Sequence, residues 1–175
     1  MSLAKIYTTK KSRKEWTCGK CGDKIPVGSK VISFTVGFRG KEQKRCEKIS
    51  CFPLRSELES SLVSGAYAAL EGVDLEGLDS LEEVQQALEE AAQGVDDVAS
   101  EYEQNEMYDV NEDLQERVSI LEAAAEELRN FEPDQSEPEL DDFDGDEETY
   151  NAEYATFMES VREEAGNLLD EVELP

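Results

Sequence analysis

The sequence contains no histidine among its 175 residues. This absence removes the commonest general base, and it excludes every nucleophile that is activated by a Ser-His or Cys-His pair. The sequence also has no recognisable phosphate-binding loop and no metal site with an open position. We therefore predict that the chain is not an enzyme.

Long apolar runs are missing as well. Nowhere do about 18 apolar residues follow one another, as a membrane-spanning helix requires. The first 14 residues, MSLAKIYTTKKSRK, lack the apolar core of a secretory signal. We expect a soluble intracellular protein with no membrane partner, located in the cytoplasm, nucleoid or nucleus, or in the host cytoplasm if it is viral.

Each half of the chain is poor in charge of one sign. Residues 1–55 hold 14 lysines and arginines against 4 aspartates and glutamates, whereas residues 56–175 hold 3 against 39. The overall pI of about 4.1 therefore describes neither half. We interpret the chain as a basic module followed by an acidic region, divided near Arg55.

All four cysteines fall in the basic half, as Cys18-x2-Cys21 and Cys46-x4-Cys51. An even number of cysteines would also suit two disulfides, but a close cluster in a reducing compartment is more typical of metal ligands. Two close pairs can supply the four soft ligands of a tetrahedral site at little loop-closure cost. The sequence predicts a structural Zn²⁺ site formed by Cys18, Cys21, Cys46 and Cys51.

The segment between the cysteine pairs predicts a β-hairpin. Residues 30–38 are rich in β-branched and aromatic residues, Arg39-Gly40 would form the turn, and residues 41–45 would return. The order of knuckle, hairpin, second pair and helix is that of a treble-clef-like zinc fold. About 50 residues bury too little surface to fold alone, so the metal would contribute folding free energy on the order of 10 kcal/mol.

Residues 15–53 resemble the DNA-break-sensing zinc finger of poly(ADP-ribose) polymerases. The matching features are Cys18-x2-Cys21, Ile25, Gly28, the strand that follows, and Cys51 followed by Phe52. That family has His-x2-Cys where this chain has Cys46-x4-Cys51, and its intervening loop is usually longer. The resemblance implies a nucleic-acid-binding finger and no polymerase activity.

A dense set of lysines and arginines surrounds the predicted metal site, which is typical of phosphate binding. Docking onto an acidic partner or onto the chain's own acidic half, or simple solvation, would also explain them. Trp16 and Phe38 would either stack on bases or cover the metal site. The candidate nucleic-acid-binding residues are Lys10, Lys11, Arg13, Lys14, Lys20, Lys24, Lys30, Arg39, Lys41, Lys44 and Arg45.

Apolar residues in the acidic half recur at helical spacing. A first helix is predicted from Leu54 to about Gly72. A second begins with the capping box Ser80-x-x-Glu83, and a third begins at Asn111 with coiled-coil-like steps of three and four. The predicted organisation is a basic zinc-binding module at 1–55, an acidic helical hairpin at 56–131, an acidic disordered linker at 132–149 and a C-terminal amphipathic helix at 150–175.

The sequence thus predicts a small zinc-bound β-hairpin module followed by an all-α helical hairpin or bundle. The leading functional hypothesis is a non-enzymatic regulator whose basic module binds nucleic acid or a nucleic-acid machine. Its acidic helices would bind a protein with a basic surface, or restrain the module. The alternatives are an acidic DNA mimic that inhibits a DNA-binding enzyme, and a structural or assembly protein. The segregation of charge suggests a phage or viral accessory protein.

Overall fold

The computed structural model describes residues 7–35, 41–59, 61–143 and 146–175. Within these ranges the chain forms short antiparallel strands and five α-helices. It divides into two compact units, residues 1–64 and residues 65–175. A β-hairpin module followed by helices is therefore confirmed at this coarse level, although the boundary falls nine residues after Arg55.

The strands lie in the N-terminal unit and are β1 (Tyr7–Lys11), β2 (Trp16–Thr17), β3 (Lys24–Ile25), β4 (Lys30–Thr35) and β5 (Glu42–Arg45). A three-stranded sheet has the order β1-β4-β5 and a two-stranded sheet pairs β2 with β3, both antiparallel. The predicted hairpin corresponds to β4 and β5, while its predicted turn at Arg39-Gly40 lies outside the described residues. Strand β1 was not predicted.

Strand β4 is central and is covered on both faces. Val31 packs in one cluster with Ile25 and two cysteines, while Ile32 and Phe34 are also buried. Because side chains alternate along a strand, Val31 points to one face and Ile32 to the other. The N-terminal unit therefore has a small core on each side of this strand.

The predicted helix from Leu54 to Gly72 is wrong as a single element. The structure has a short helix α1 (Arg55–Leu58) and a separate helix α2 (Val63–Glu71). Glu59 adopts an extended conformation with ψ of 138°, and its carboxylate accepts a hydrogen bond from the N–H of Ser61 at 3.0 Å. This local side-chain bond competes with helix continuation, so the apolar periodicity runs across a break.

The C-terminal unit contains the two long helices that the capping signals predict. Helix α3 (Leu81–Glu103) begins after Ser80, whose hydroxyl accepts the Glu83 N–H, and α4 (Glu112–Arg129) begins after Asn111. Most of the apolar residues at helical spacing are buried, whereas Leu81, Leu114 and Phe131 are only partly buried. The buried members are Val84, Leu88, Ala91, Val95, Val98, Tyr102, Val118, Leu121, Ala125 and Leu128.

Helices α3 and α4 form an antiparallel hairpin. Eight residues connect them, and Arg129 at the end of α4 reaches back to Glu89 in the first half of α3. Helix α5 (Glu147–Glu171) also packs on α3 and buries Phe157, Met158, Val161 and Ala165. No helix in the described ranges combines the length and the apolar character needed to cross a membrane.

Helix α5 begins inside the range that was predicted as a linker. Asp146 caps it, because its carboxylate accepts the N–H groups of Glu148 and Thr149. The preceding segment also has defined contacts. Its residues 140–143 form a 3-10 helix, and the N–H of Asp134 donates to the carboxylate of Glu164 at 2.8 Å.

Candidate metal centre and basic groove

The first cysteine pair lies on the turn between β2 and β3. The N–H of Cys18 donates to the carbonyl of Asp23 at 2.8 Å, and the N–H of Gly22 donates to the carbonyl of Cys18 at 3.0 Å. Gly22 has φ of +76°, a conformation that residues with a side chain rarely adopt. These bonds fold the turn so that Cys18 and Cys21 present their sulfurs to the same side.

The second pair approaches through strand β5. Cys46 follows β5 directly, and Cys51 ends a 3-10 helix formed by Ile49–Cys51, before α1 begins. The N–H of Gly19 donates to the carbonyl of Lys44 at 2.8 Å, and the N–H of Cys46 donates to the sulfur of Cys18 at 3.4 Å. These bonds join the two ligand segments. The short 3-10 helix turns the chain after Cys46, so that the sulfur of Cys51 lies beside the other three.

The four cysteine sulfurs all lie within 4.8 Å of one another. The Sγ atoms of Cys21 and Cys46 are 3.8 Å apart, and all four cysteines are free of disulfide bonds. A tetrahedral ion with metal–sulfur bonds of about 2.3 Å would separate its ligands by about 3.8 Å. The distances and the four-sulfur donor set therefore fit a metal site of the closed, structural type.

Backbone N–H groups lower the pKa values of the clustered thiols, whereas burial and neighbouring sulfurs raise them. Burial opposes ionisation of Cys18, but the N–H groups of Cys21, Cys46 and Lys20 lower its pKa to about 6. The N–H of Asp23 also favours the Cys21 thiolate, yet loss of hydration and the neighbouring sulfurs raise the pKa of Cys21 to about 12. Burial and adjacent thiols raise the pKa of Cys46. Ionised thiolates so close together would repel one another, and a divalent cation would relieve that repulsion by neutralising several of them together.

Burial divides the cluster into an inner and an outer pair. Cys18 and Cys51 are almost inaccessible and pack against Ile25 and Val31, whereas Cys21 is exposed and Cys46 is half-buried. The inner pair thus belongs to the core of the N-terminal unit. Loss of the four-sulfur arrangement would remove the centre of that core.

Comparisons with protein-family models, curated proteins and solved structures gave no match. The resemblance to the DNA-break-sensing finger therefore stays a prediction that rests on the residues quoted above. The clustered sulfurs indicate a metal site, and the choice of zinc rests on the preference of four thiolates for that ion in structural sites.

An open groove of about 780 Å³ lies on the N-terminal unit, and five of the predicted nucleic-acid-binding residues line it. Glu42 is the acidic residue in its lining, so the groove carries a clear excess of positive charge. Ser12 and Ser33 contribute buried polar side chains. The five basic lining residues are Lys10, Lys11, Arg13, Lys14 and Lys44.

The single tryptophan, Trp16, lies in this groove beside two ammonium groups. The Nζ of Lys14 lies 4.2 Å from the centre of the ring, and the Nζ of Lys44 lies 5.2 Å from it. The half-buried ring also packs against the cluster around Cys18. Trp16 therefore contributes both to the cover of the cysteine cluster and to the wall of the groove.

The other predicted basic residues that the structure describes do not line the groove. Lys20 and Lys41 are exposed, and Arg39, like Phe38, lies outside the described residues. Lys24 lies 3.3 Å from Glu15 and Lys30 lies 3.9 Å from Glu47, both as exposed ion pairs. Such pairs are worth little in water, so these two lysines keep most of their interaction with solvent.

Arg45 has a different environment from its neighbour Lys44. It is only 8% exposed, its guanidinium forms two hydrogen bonds to the Glu57 carboxylate, and it lies 5.0 Å from the Phe34 ring. The hydrogen bonds from Arg45 lower the pKa of Glu57. The sequence analysis placed Arg45 among the candidate nucleic-acid-binding residues, and the structure corrects this, because its buried guanidinium links β5 to α1 through Glu57.

Sequence reasoning missed the roles of Ser12, Ser33 and Glu42. Ser12 donates its hydroxyl to the carbonyl of Lys14, and its backbone pairs with Ser29 and Gly28. Lys44 donates to the hydroxyl of Ser33 at 2.6 Å and to the carboxylate of Glu42. The alternation of residues in β4 and β5 could have placed Ser33, Glu42 and Lys44 on one face, once the pairing was known.

Proposed function

We propose that this chain is a non-enzymatic zinc-finger regulator that binds nucleic acid, or a nucleic-acid machine, through its basic N-terminal unit. The proposal rests on one observation: a four-cysteine cluster and a groove lined by five cations share Trp16 as a common wall. Zn²⁺ would be held by Cys18, Cys21, Cys46 and Cys51, and it would fix the strands that carry the basic side chains.

The proposed role of the metal is structural. Four thiolates complete a tetrahedral zinc site and leave no position for water or substrate. The described backbone contacts orient the sulfurs before binding, which reduces the ordering needed when the ion arrives. Zinc would therefore stabilise the groove without taking part in a reaction.

The acidic C-terminal unit would serve protein contact or would restrain the basic unit. Residues 65–175 hold 3 basic and 37 acidic residues. Arg129 is paired with Glu89 and Asp96, and Arg162 donates to the carbonyl of Leu78. Such a surface favours a basic partner and opposes association with its own copies.

Binding of labelled oligonucleotides to the full zinc-loaded chain tests the proposal. If all five groove cations contact phosphates, the affinity for a single strand should fall about 100-fold between about 50 and about 200 mM salt. A steep salt dependence supports the proposal. Absence of binding to any DNA or RNA at the lower salt concentration would contradict direct nucleic-acid contact.

The second candidate, a DNA mimic, is favoured by the net charge of −34 on residues 65–175. Capture of partners from a cell extract, with and without nuclease treatment, separates the two candidates. A nucleic-acid binder should lose its captured proteins after nuclease treatment. A DNA mimic should keep a nuclease-resistant protein partner and should compete with DNA for it, while binding no DNA itself.

A further inference from the structure

The groove differs from the rest of the basic surface in shape and in composition. Four of its cations follow one another along the end of β1 and the next loop, and Lys44 faces them from β5. Among the described residues the lining contains a single carboxylate, that of Glu42, which is already hydrogen-bonded to Lys44. Several like charges are thus held around one concavity with little internal neutralisation.

Hydrogen bonds hold the walls of the groove in place. The buried Ser12 bonds to the carbonyl of Lys14 and pairs with the turn at Gly28 and Ser29. Lys44 is held by Ser33 and Glu42, and its side chain is only 15% exposed. The fold therefore fixes the ammonium group of Lys44 and the backbone that carries Lys14.

The concave shape favours a narrow polyanion over a duplex. Double-stranded DNA is usually read by a convex element, such as a helix or a β-ribbon, that enters its major groove. In this unit the cations line a depression instead, and the helix α1 has only four residues. A flexible single strand can bend into such a depression.

The aromatic wall favours a nucleic acid over an acidic peptide. Single-strand binding sites combine a positive groove along the backbone with aromatic rings that contact bases. Trp16 supplies such a ring between Lys14 and Lys44, and its half-buried position leaves part of it accessible from the groove. A phosphate would draw the exposed Lys14 ammonium away from the ring and would open that side of the ring to a base.

We infer that the groove between β1, its following loop and β5 binds single-stranded nucleic acid, with Lys10, Lys11, Arg13, Lys14 and Lys44 on the phosphates and Trp16 on a base. This inference rests on the proposed function and narrows it to one class of ligand.

The test uses the full zinc-loaded chain and four probes of equal length: a dT oligonucleotide, an rU oligonucleotide, a blunt DNA duplex and poly-glutamate. Anisotropy of the labelled probe gives the affinity, and the emission of Trp16 reports contact with the groove. The single strands should bind at least about tenfold more tightly than the duplex and than poly-glutamate. They should also quench Trp16.

A pair of matched double variants locates the contact. Lys11→Gln with Lys14→Gln should weaken single-strand binding about tenfold and reduce the salt slope by about 1.4, since two phosphate contacts are lost. Lys20→Gln with Lys24→Gln removes the same charge outside the groove and should change affinity less than about twofold. Zinc content and the urea unfolding midpoint of the free proteins check that both variants are folded.

Three outcomes overturn the inference while leaving the proposed function intact: tighter binding of the duplex, equal weakening by the two double variants, or no change in Trp16 emission on binding. Equal affinity for poly-glutamate also overturns it and indicates an acidic protein ligand. Failure of all nucleic acids to bind would remove the inference together with direct nucleic-acid binding as the function.

Discussion

The sharpest contrast at the scale of single residues is between Lys44 and Arg45, which are adjacent and both basic. Cross-strand pairing sets Lys44 opposite Ser33 and Arg45 opposite Ile32, so the two side chains lie on opposite faces of the sheet. Lys44 reaches the groove, whereas Arg45 is buried and forms an ion pair with the partly exposed Glu57. One cation is placed for a ligand and the other for the fold.

Replacing Arg45 with methionine should destabilise the N-terminal unit by about 2 kcal/mol. The change keeps the buried aliphatic volume but leaves the Glu57 carboxylate without its partner. Loss of one member of a fully buried pair costs roughly 3–5 kcal/mol, and the partial exposure of Glu57 reduces that figure. Urea unfolding of the zinc-loaded chain, followed by Trp16 emission, measures the effect.

Lys41→Met is the control, because it removes an exposed cation just before β5 and should change stability by less than about 0.5 kcal/mol. The stabilities of the two variants should be compared at neutral pH. Arg45 lowers the pKa of Glu57 from its ordinary value of 4.5, so the contribution of the pair is present above that value and is lost as the pH falls below it. Equal stability of the two variants would contradict the structural role of Arg45.

At the scale of elements, the packing of α2 on α3 depends on a glycine. A Cβ atom at Gly94 would lie 2.6 Å from the Cβ of Ala69, closer than packed atoms can approach. Neither atom belongs to a flexible side-chain end, so relief of the contact requires the helices to separate. The glycine thus has a packing reason that overrides its poor helix propensity.

Gly94→Ala should therefore destabilise the C-terminal unit by about 1 kcal/mol. The gain of about 1 kcal/mol in helix propensity is smaller than the roughly 1–3 kcal/mol cost of overpacking. Gly166→Ala in α5 is the matched control, since its Cβ would lie 3.8 Å from Leu75 and should stabilise by about 0.5–1 kcal/mol. Far-UV circular dichroism during urea unfolding measures both. A stabilising Gly94→Ala would show that α2 does not lie as described.

At the scale of the whole molecule, the two compact units differ in what would hold them together. The N-terminal unit has a small core centred on the cysteines, whereas the C-terminal unit buries apolar stripes of three long helices. Domains as small as the N-terminal unit commonly need a metal or disulfides to fold. We therefore expect the units to respond differently to metal removal.

Chelation of the metal, or the substitution Cys21→Ser, should unfold the N-terminal unit and leave most of the helical signal. Trp16, the only tryptophan, reports on the first unit, and far-UV circular dichroism reports mainly on α2 to α5. Chelator that is already saturated with metal is the control. Retention of both signals after removal of the ion would contradict a metal-dependent unit.

The sequence alone determined features that depend on residues close together in the chain. The cysteine spacing placed four sulfurs in two pairs, and Ser80 and Asn111 marked the starts of α3 and α4 because a cap needs only the next two or three residues. The charge division between the halves was equally readable, since composition does not depend on the fold.

Only the tertiary structure decided which strand pairs with the free edge of β4, where the helix after Leu54 breaks, and which cations share a groove. Strand β1 is short and polar, so its place beside β4 arises from pairing with residues 19 to 27 positions away along the chain. The different roles of Lys44 in the groove and of Arg45 in the ion pair also follow from long-range strand pairing. Adjacent residues of a strand face opposite ways, and long-range packing decides which face is buried.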